Sequence, residues 1–253
     1  MIRTRLRMAV LLSAALGLTP ALADPPVAPS PVASSPSQPA GEHARRYDRL
    51  KREIRHRRHE LGDRYRLAVS DRERSLVLAE ARRYAFETLS HDILPAWFGT
   101  NWAFYGVTET PREGSIACGY FVTTVLRDAG FLVARDILAQ QPSELMIRNL
   151  TSEAGIQRYH DASVHALDEG LRVAGPGLYV VGLDRHTGFI LYDGSAARFV
   201  HSSYYNPPRA VVSEPLRGNN PLAHSRYRVV GKLFEDDMMR RWLLLEEMPV
   251  RYR

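Results

Sequence analysis

Apolar positions in the first third of the chain recur at helical intervals. Tyr47, Leu50, Ile54, Leu61, Tyr65 and Leu67 make a sparse stripe through a segment otherwise crowded with arginine, so residues 43–69 are expected to form a helix. Ser70-Asp71-Arg72-Glu73 then has the form of a capping box, which opens a second helix running to about Leu89 with Leu76, Ala79, Tyr84 and Leu89 as its packing face. After the turn-forming Thr110-Pro111-Arg112-Glu113-Gly114, the spacing of Phe121, Val122, Val125, Leu126 and Ala129 predicts a helix over 118–129 that stops at Gly130. Further helices are expected at 142–150, with Pro142 in the opening turn, and at 162–173.

From Gly175-Pro176-Gly177 onward the period changes to that of strands. Residues 178–183 and 187–192 flank an Asp184-Arg185 turn, and Asp193-Gly194 is a strong hairpin signal leading into 197–202. Runs at 209–213 and 227–233 bring the expectation to about five antiparallel strands, followed by a closing helix over 236–245. Helices first and a meander second imply an α+β domain.

Two N-terminal segments stand apart from this pattern. Arg3, Arg5 and Arg7, an apolar run from Met8 to Leu18, and Ala21-Leu22-Ala23 read as a signal peptide cleaved after Ala23, so export to a periplasmic or extracellular location is expected. The apolar run is shorter than the roughly 20 residues a bilayer-spanning helix needs, and no transmembrane segment is expected in the mature protein. Residues 24–41 are rich in Pro, Ser and Ala without an apolar period and read as a disordered linker. The expected organisation is therefore a signal peptide at 1–23, a linker at 24–41, a helical extension at 42–95 and a catalytic domain at 96–253.

Charge adds one feature. The net charge is +6, but residues 43–69 alone hold ten Lys or Arg against four acidic side chains, so the basic character belongs to the first helix and the leader rather than to the rest of the chain. That helix is either a solvated face or a contact for anionic polymers of the cell envelope. No Gly-rich phosphate loop, nucleotide fingerprint or His/Cys/carboxylate spacing suited to a metal is present, so neither cofactor, metal nor nucleic-acid partner is expected.

The single cysteine carries the chemistry. Exported proteins use cysteines in pairs, and one cysteine closes no intrachain bridge, which leaves Cys118 as a free thiol, an intermolecular link or an inert buried residue. It stands at the predicted start of a helix, where partial positive charge favours the thiolate and unpaired N–H groups can hold an oxyanion. Gly119 beside it presents no side chain to an approaching substrate. His186 opens a predicted strand after a tight turn, and His201 follows fifteen positions later in the next strand, roughly opposite His186, where it can orient that ring. Trp97, Trp102, Tyr204 and Tyr205 are candidates either for a cleft wall or for aromatic core.

The ordered set resembles the NlpC/P60 family of papain-like cysteine peptidases and amidases. The resemblance covers about residues 100–203 and rests on Trp102-Ala103-Phe104-Tyr105-Gly106-Val107-Thr108, Cys118-Gly119-Tyr120-Phe121-Val122, Gly177-Leu178-Tyr179-Val180-Val181, His186-Thr187-Gly188-Phe189-Ile190 and Phe199-Val200-His201-Ser202. It departs from the family pattern in Ala117-Cys118-Gly119, where Asp-Cys-Ser is usual, and in Trp102, where a Tyr is common. The resemblance implies a papain-like fold and a Cys118–His186–His201 triad, with Trp102, Tyr105 and Gly119 on the substrate side. It further implies hydrolysis of amide or peptide bonds through an acyl-enzyme, commonly in peptidoglycan. A catalytically silent envelope-binding module and a thioester-based acyltransferase are the alternatives.

Overall fold

The computed structural model describes residues 40–252. The expected signal peptide and nearly all of the expected linker lie outside the described residues. In chain order the elements are α1 (Ala40–Leu67), α2 (Asp71–Thr88), a π-helical turn (Leu89–Ile93), α3 (Leu94–Trp97), β1 (Asn101–Trp102), β2 (Ser115–Ile116), α4 (Cys118–Asp128), α5 (Arg135–Ala139), α6 (Ser143–Leu150), a 3-10 turn (Glu153–Gly155), β3 (Ile156–His160), α7 (Val164–Ala174), β4 (Gly177–Leu183), β5 (Thr187–Tyr192), β6 (Ala197–Ser202), β7 (Val211–Pro215), α8 (Pro221–His224), β8 (Tyr227–Lys232) and α9 (Asp236–Leu244). The fold is α+β, built on a six-stranded antiparallel sheet in the order β3-β8-β4-β5-β6-β7, with a small parallel pair β1-β2 beside it.

The expectation of about five strands omits β3. Its sequence, Ile-Gln-Arg-Tyr-His, lacks a buried alternation, and it becomes a strand by pairing antiparallel with the apolar β8, from Ile156↔Gly231 to His160↔Tyr227. Edge pairing of this kind comes from the partner's backbone rather than from local pattern.

Helix α1 begins at Ala40, inside the expected linker, and three of its residues at seven-residue spacing, Tyr47, Ile54 and Leu61, are buried in the main core together with Leu126 of α4 and Trp242 of α9. Leu67, expected on the packing stripe, is exposed. Ser70 caps α2 by accepting from the Glu73 amide at 3.2 Å, while Glu73 turns back to the Val69 amide at 2.8 Å, one residue earlier than the standard box. The buried face of α2 is Val77, Ala81 and Ala85, whereas Leu76 and Ala79 are exposed. Tyr84 and Leu89 of the expected face do pack on the core, Leu89 wholly buried, so the expected face holds toward the helix end and fails at its beginning. Small residues toward the core allow α2 to lie close to its neighbours, an advantage that a count of large apolar side chains does not register.

One aromatic series runs from the N-terminal helix to the sheet. Tyr47 meets Trp97 edge-on at 6.2 Å between ring centroids, Trp97 meets Phe121 at 6.2 Å, and Phe121 meets Phe189 at 5.8 Å. Phe121 lies one turn beyond the start of α4 and Phe189 two residues into β5, so this packing fixes the beginning of α4 against the beginning of β5. No helix among the described residues is long and apolar enough to cross a membrane.

Candidate functional site

Cys118 is the first residue of α4. The N-cap is Ala117, which has no side-chain acceptor, so the first-turn amides are left without a capping oxygen. An uncapped helix start forgoes a typical stabilisation of about 1 kcal/mol and keeps those N–H groups available. The strand end is tied to this turn from the other side, where Ser202 donates its hydroxyl to the Ile116 carbonyl at 2.7 Å. Cys118 is half-buried, and the nearby backbone amides of Thr187, Gly119 and Cys118 itself favour its anion. Burial outweighs them and pushes the Cys118 thiol up. The helix start therefore does not produce a standing thiolate, contrary to the expectation from its position.

His186 closes the Asp184-Arg185 turn, whose ends are joined by the Leu183 amide donating to the His186 carbonyl at 2.8 Å. Its side chain is 4% exposed. The amide of the next residue, Thr187, favours the Cys118 anion, and Cys118, Gly119, His186 and Thr187 line one cleft of about 540 Å³. Sulfur and imidazole thus share a single cavity, reached from two elements distant in sequence.

The relation between the two histidines differs in detail from a direct cross-strand pair. Strands β5 and β6 pair with Phe189 opposite Val200, and continuing that register sets His201 opposite Gly188, so His186 and His201 meet on the diagonal. Gly188 makes the diagonal possible, since a Cβ there would lie 2.7 Å from the His201 Cβ and 2.8 Å from the Val200 carbonyl oxygen. Across the gap His186 Nε2 stands 2.8 Å from His201 Nδ1, and His201 Nε2 stands 3.0 Å from a carboxylate oxygen of Glu214 on β7.

This chain of contacts fixes the tautomers. A carboxylate only accepts, so His201 donates from Nε2 to Glu214 and its Nδ1 is left as an acceptor. His186 must then donate from Nε2, which strips the proton from its Nδ1. That Nδ1 is buried and has no hydrogen-bond partner among the described residues. His186 lines the cavity that holds the lone thiol, and an imidazole nitrogen left bare on it has the form of a general base awaiting a proton. Burial, together with the neighbouring His201, holds the His186 imidazole well below the usual histidine range. Burial also lowers His201, against the raising influence of Glu214. Around neutral pH the resting pair is accordingly a neutral thiol and a neutral imidazole.

Glu214 was not legible as a site residue, because a single acidic residue on an edge strand has no marker until the β6-β7 register, His201↔Val212, brings it within reach. Gly119 lines the cleft, but the demand for glycine comes from behind it: a Cβ would meet the Ala139 carbonyl oxygen at 2.1 Å, where α5 packs on the start of α4. Trp102 does not line the cleft. It lies at the edge, with its ring 5.7 Å from Tyr204, whose ring is in turn 5.1 Å from His186. Tyr204 packs on His186 from outside that lining, and Tyr227 is the aromatic residue that lines the cleft. Tyr105 is 87% exposed, packs edge-on against Phe104 at 4.9 Å and is not among the residues lining the cleft. Trp97 is wholly buried and donates to the Tyr47 hydroxyl at 2.9 Å, as core. Among the described residues no group of three or more His, Cys, Asp or Glu is placed to hold a metal ion.

Comparison of the chain with family models, with curated proteins and with solved structures finds no match.

Proposed function

We propose that this chain is an exported cysteine hydrolase of the NlpC/P60-like, papain-related kind, which cleaves amide or peptide bonds with Cys118 as nucleophile and His186 as its base. One observation carries the reading: His186, oriented by His201 through a 2.8 Å contact, has a buried and unpartnered Nδ1 and lines the same cleft as Cys118. A histidine retained only for packing has no need of a second histidine and a carboxylate to choose its tautomer.

The chemistry follows from the neutral resting pair. His186 Nδ1 takes the thiol proton as the sulfur forms its bond to the substrate carbonyl carbon, and the carbonyl oxygen becomes an oxyanion facing the first-turn amides of α4. On collapse the C–N bond breaks, and His186 returns the proton to the departing amine. The remaining thioester is hydrolysed by water activated at the same nitrogen, which releases the acid and restores the thiol. His201 and Glu214 stabilise the transient imidazolium and hold its orientation. The leader of the sequence and the family resemblance point to peptides of the cell wall as substrate.

The test uses mature protein and purified peptidoglycan fragments, with products weighed by mass spectrometry. Wild type is expected to add water across an amide bond, and Cys118→Ser to leave the fragments intact. Labelling by iodoacetamide at pH 7 is expected to be faster in wild type than in His186→Ala; equal rates would sink the catalytic pairing, and a full biological effect retained by Cys118→Ser would favour a binding module.

A further inference from the structure

The cleft around Cys118 is walled by ionisable and polar side chains, nearly all of them committed to the fold. Glu144 accepts from Arg158 at 2.7 Å and from the Tyr227 hydroxyl at 2.5 Å. Asp184 spends its two carboxylate oxygens on the backbone amides of Arg226 at 2.8 Å and Tyr227 at 3.0 Å. Gln141 donates to the Arg251 carbonyl at 2.7 Å and accepts from Asn149 at 2.8 Å. Thr187 donates its hydroxyl to the Val181 carbonyl at 2.9 Å.

Arg185 is different. It lines the same cleft, it is exposed, and among the described residues its guanidinium makes neither an ion pair nor a hydrogen bond. It is also held close to the chemistry, because it occupies the two-residue turn that His186 closes. Its charge reaches Tyr204, the ring that also feels the Cys118 sulfur and packs on His186. A fork of five donors without a partner, mounted on a tight turn at the rim of a catalytic cavity, is a ready receptor for a carboxylate.

Its position also selects a side of the scissile bond. In the proposed reaction the departing nitrogen is the atom that takes its proton from His186, so the half of the substrate carrying the amine lies on the His186 side of the sulfur. Arg185 adjoins that side. We infer that Arg185 is a specificity-determining residue that receives a carboxylate borne by the leaving-amine half of the substrate, so that the preferred substrates are amides whose released amine is an amino acid or peptide with an acidic group close to the cut. The inference rests on the hydrolase reading for its direction along the substrate, while the anion receptor itself is measurable without turnover.

The probes are iodoacetate and iodoacetamide, which alkylate a thiol identically and differ in charge. Relative to a small reference thiol, Cys118 of the wild-type protein is expected to favour iodoacetate, and Arg185→Gln to lower the iodoacetate-to-iodoacetamide ratio roughly three- to tenfold, whatever change the two rates share. Arg185→Lys keeps the charge and is expected to retain most of the preference, and raising the salt is expected to erode it in wild type. A ratio identical in wild type and Arg185→Gln overturns the proposal, as does a Lys variant as poor as the Gln variant, which would assign the effect to turn geometry. Failure of the hydrolase reading shows separately, as an iodoacetamide rate indifferent to His186→Ala. The exposed position of Arg185 keeps all variants folded, which a thermal melt verifies.

Discussion

His186 Nε2 lies 2.8 Å from His201 Nδ1, and the direction of that hydrogen bond decides what the site can do. Were the proton on His201 Nδ1, His186 would present an N–H to the cleft and have no lone pair for the thiol. Glu214, 3.0 Å from the far nitrogen of His201, selects the other arrangement. The tautomer of the proposed base is thus set by the Glu214 carboxylate through the intervening His201 ring.

The first prediction follows from that selection. A glutamine at position 214 offers both a donor and an acceptor to His201 Nε2, so it no longer discriminates between tautomers. Glu214→Gln is expected to slow iodoacetamide labelling of Cys118 at pH 7 by roughly ten- to hundredfold, as for loss of a base's orientation, with little change in the melting temperature. A labelling rate equal to wild type would remove Glu214 from the relay.

How much of this was readable beforehand divides along physical lines. Helix α4 and the β4-β5-β6 meander carry dense apolar periods bounded by Gly130, Asp184-Arg185 and Asp193-Gly194, and those local signals agree with the tertiary outcome. In the β5-β6 hairpin Asp193 accepts from the amides of Ser195 at 2.8 Å and Ala196 at 2.9 Å, which is the turn chemistry its side chain suggests. Both histidines were found because they flank this hairpin. What escaped is what depends on partners: β3, organised by β8; Glu214, brought in by β7; the burial of Val77, Ala81 and Ala85 in α2; and the displacement of Trp102 and Tyr105 from the cleft. The thiol's state escaped as well, since burial depends on everything around Cys118, whereas position at a helix start is local.

The second prediction concerns the link between the N-terminal helix α1 and α4, the helix that begins at Cys118. The Tyr47 hydroxyl accepts from Trp97 Nε1 at 2.9 Å and donates to Asp128 at 2.9 Å, all three side chains being buried. Asp128 stands at the far end of α4 from Cys118. Tyr47→Phe leaves Trp97 Nε1 without its acceptor and one Asp128 oxygen without its donor, while Arg127 still holds the other Asp128 oxygen at 2.9 Å, and such a buried polar deletion costs about 1–3 kcal/mol. Urea unfolding is expected to show that loss, with labelling of Cys118 unaffected because Asp128 is a helix length from the sulfur. A loss within measurement error would show that water or rearrangement satisfies the stranded groups.

The third prediction is a stability profile. His186 and His201 both have folded-state affinities for protons below that of an unfolded imidazole, because burial penalises their charged forms. Unfolding therefore takes up protons on the acid side of about pH 6.5, the ordinary histidine value, and stability falls as pH drops through that point toward the folded-state values. Above pH 6.5 the pair contributes no slope, since both states are neutral there. Each histidine contributes up to about 1.4 kcal/mol per pH unit while it titrates only in the unfolded chain. Urea unfolding of wild type from pH 7.5 to 5 is expected to show this decline, and His186→Gln, which cannot take up the proton, to show a shallower one. Parallel declines in the two proteins would mean that the buried imidazole is reached by protons in the folded state as readily as in the unfolded chain, and the neutral resting pair would be lost with it.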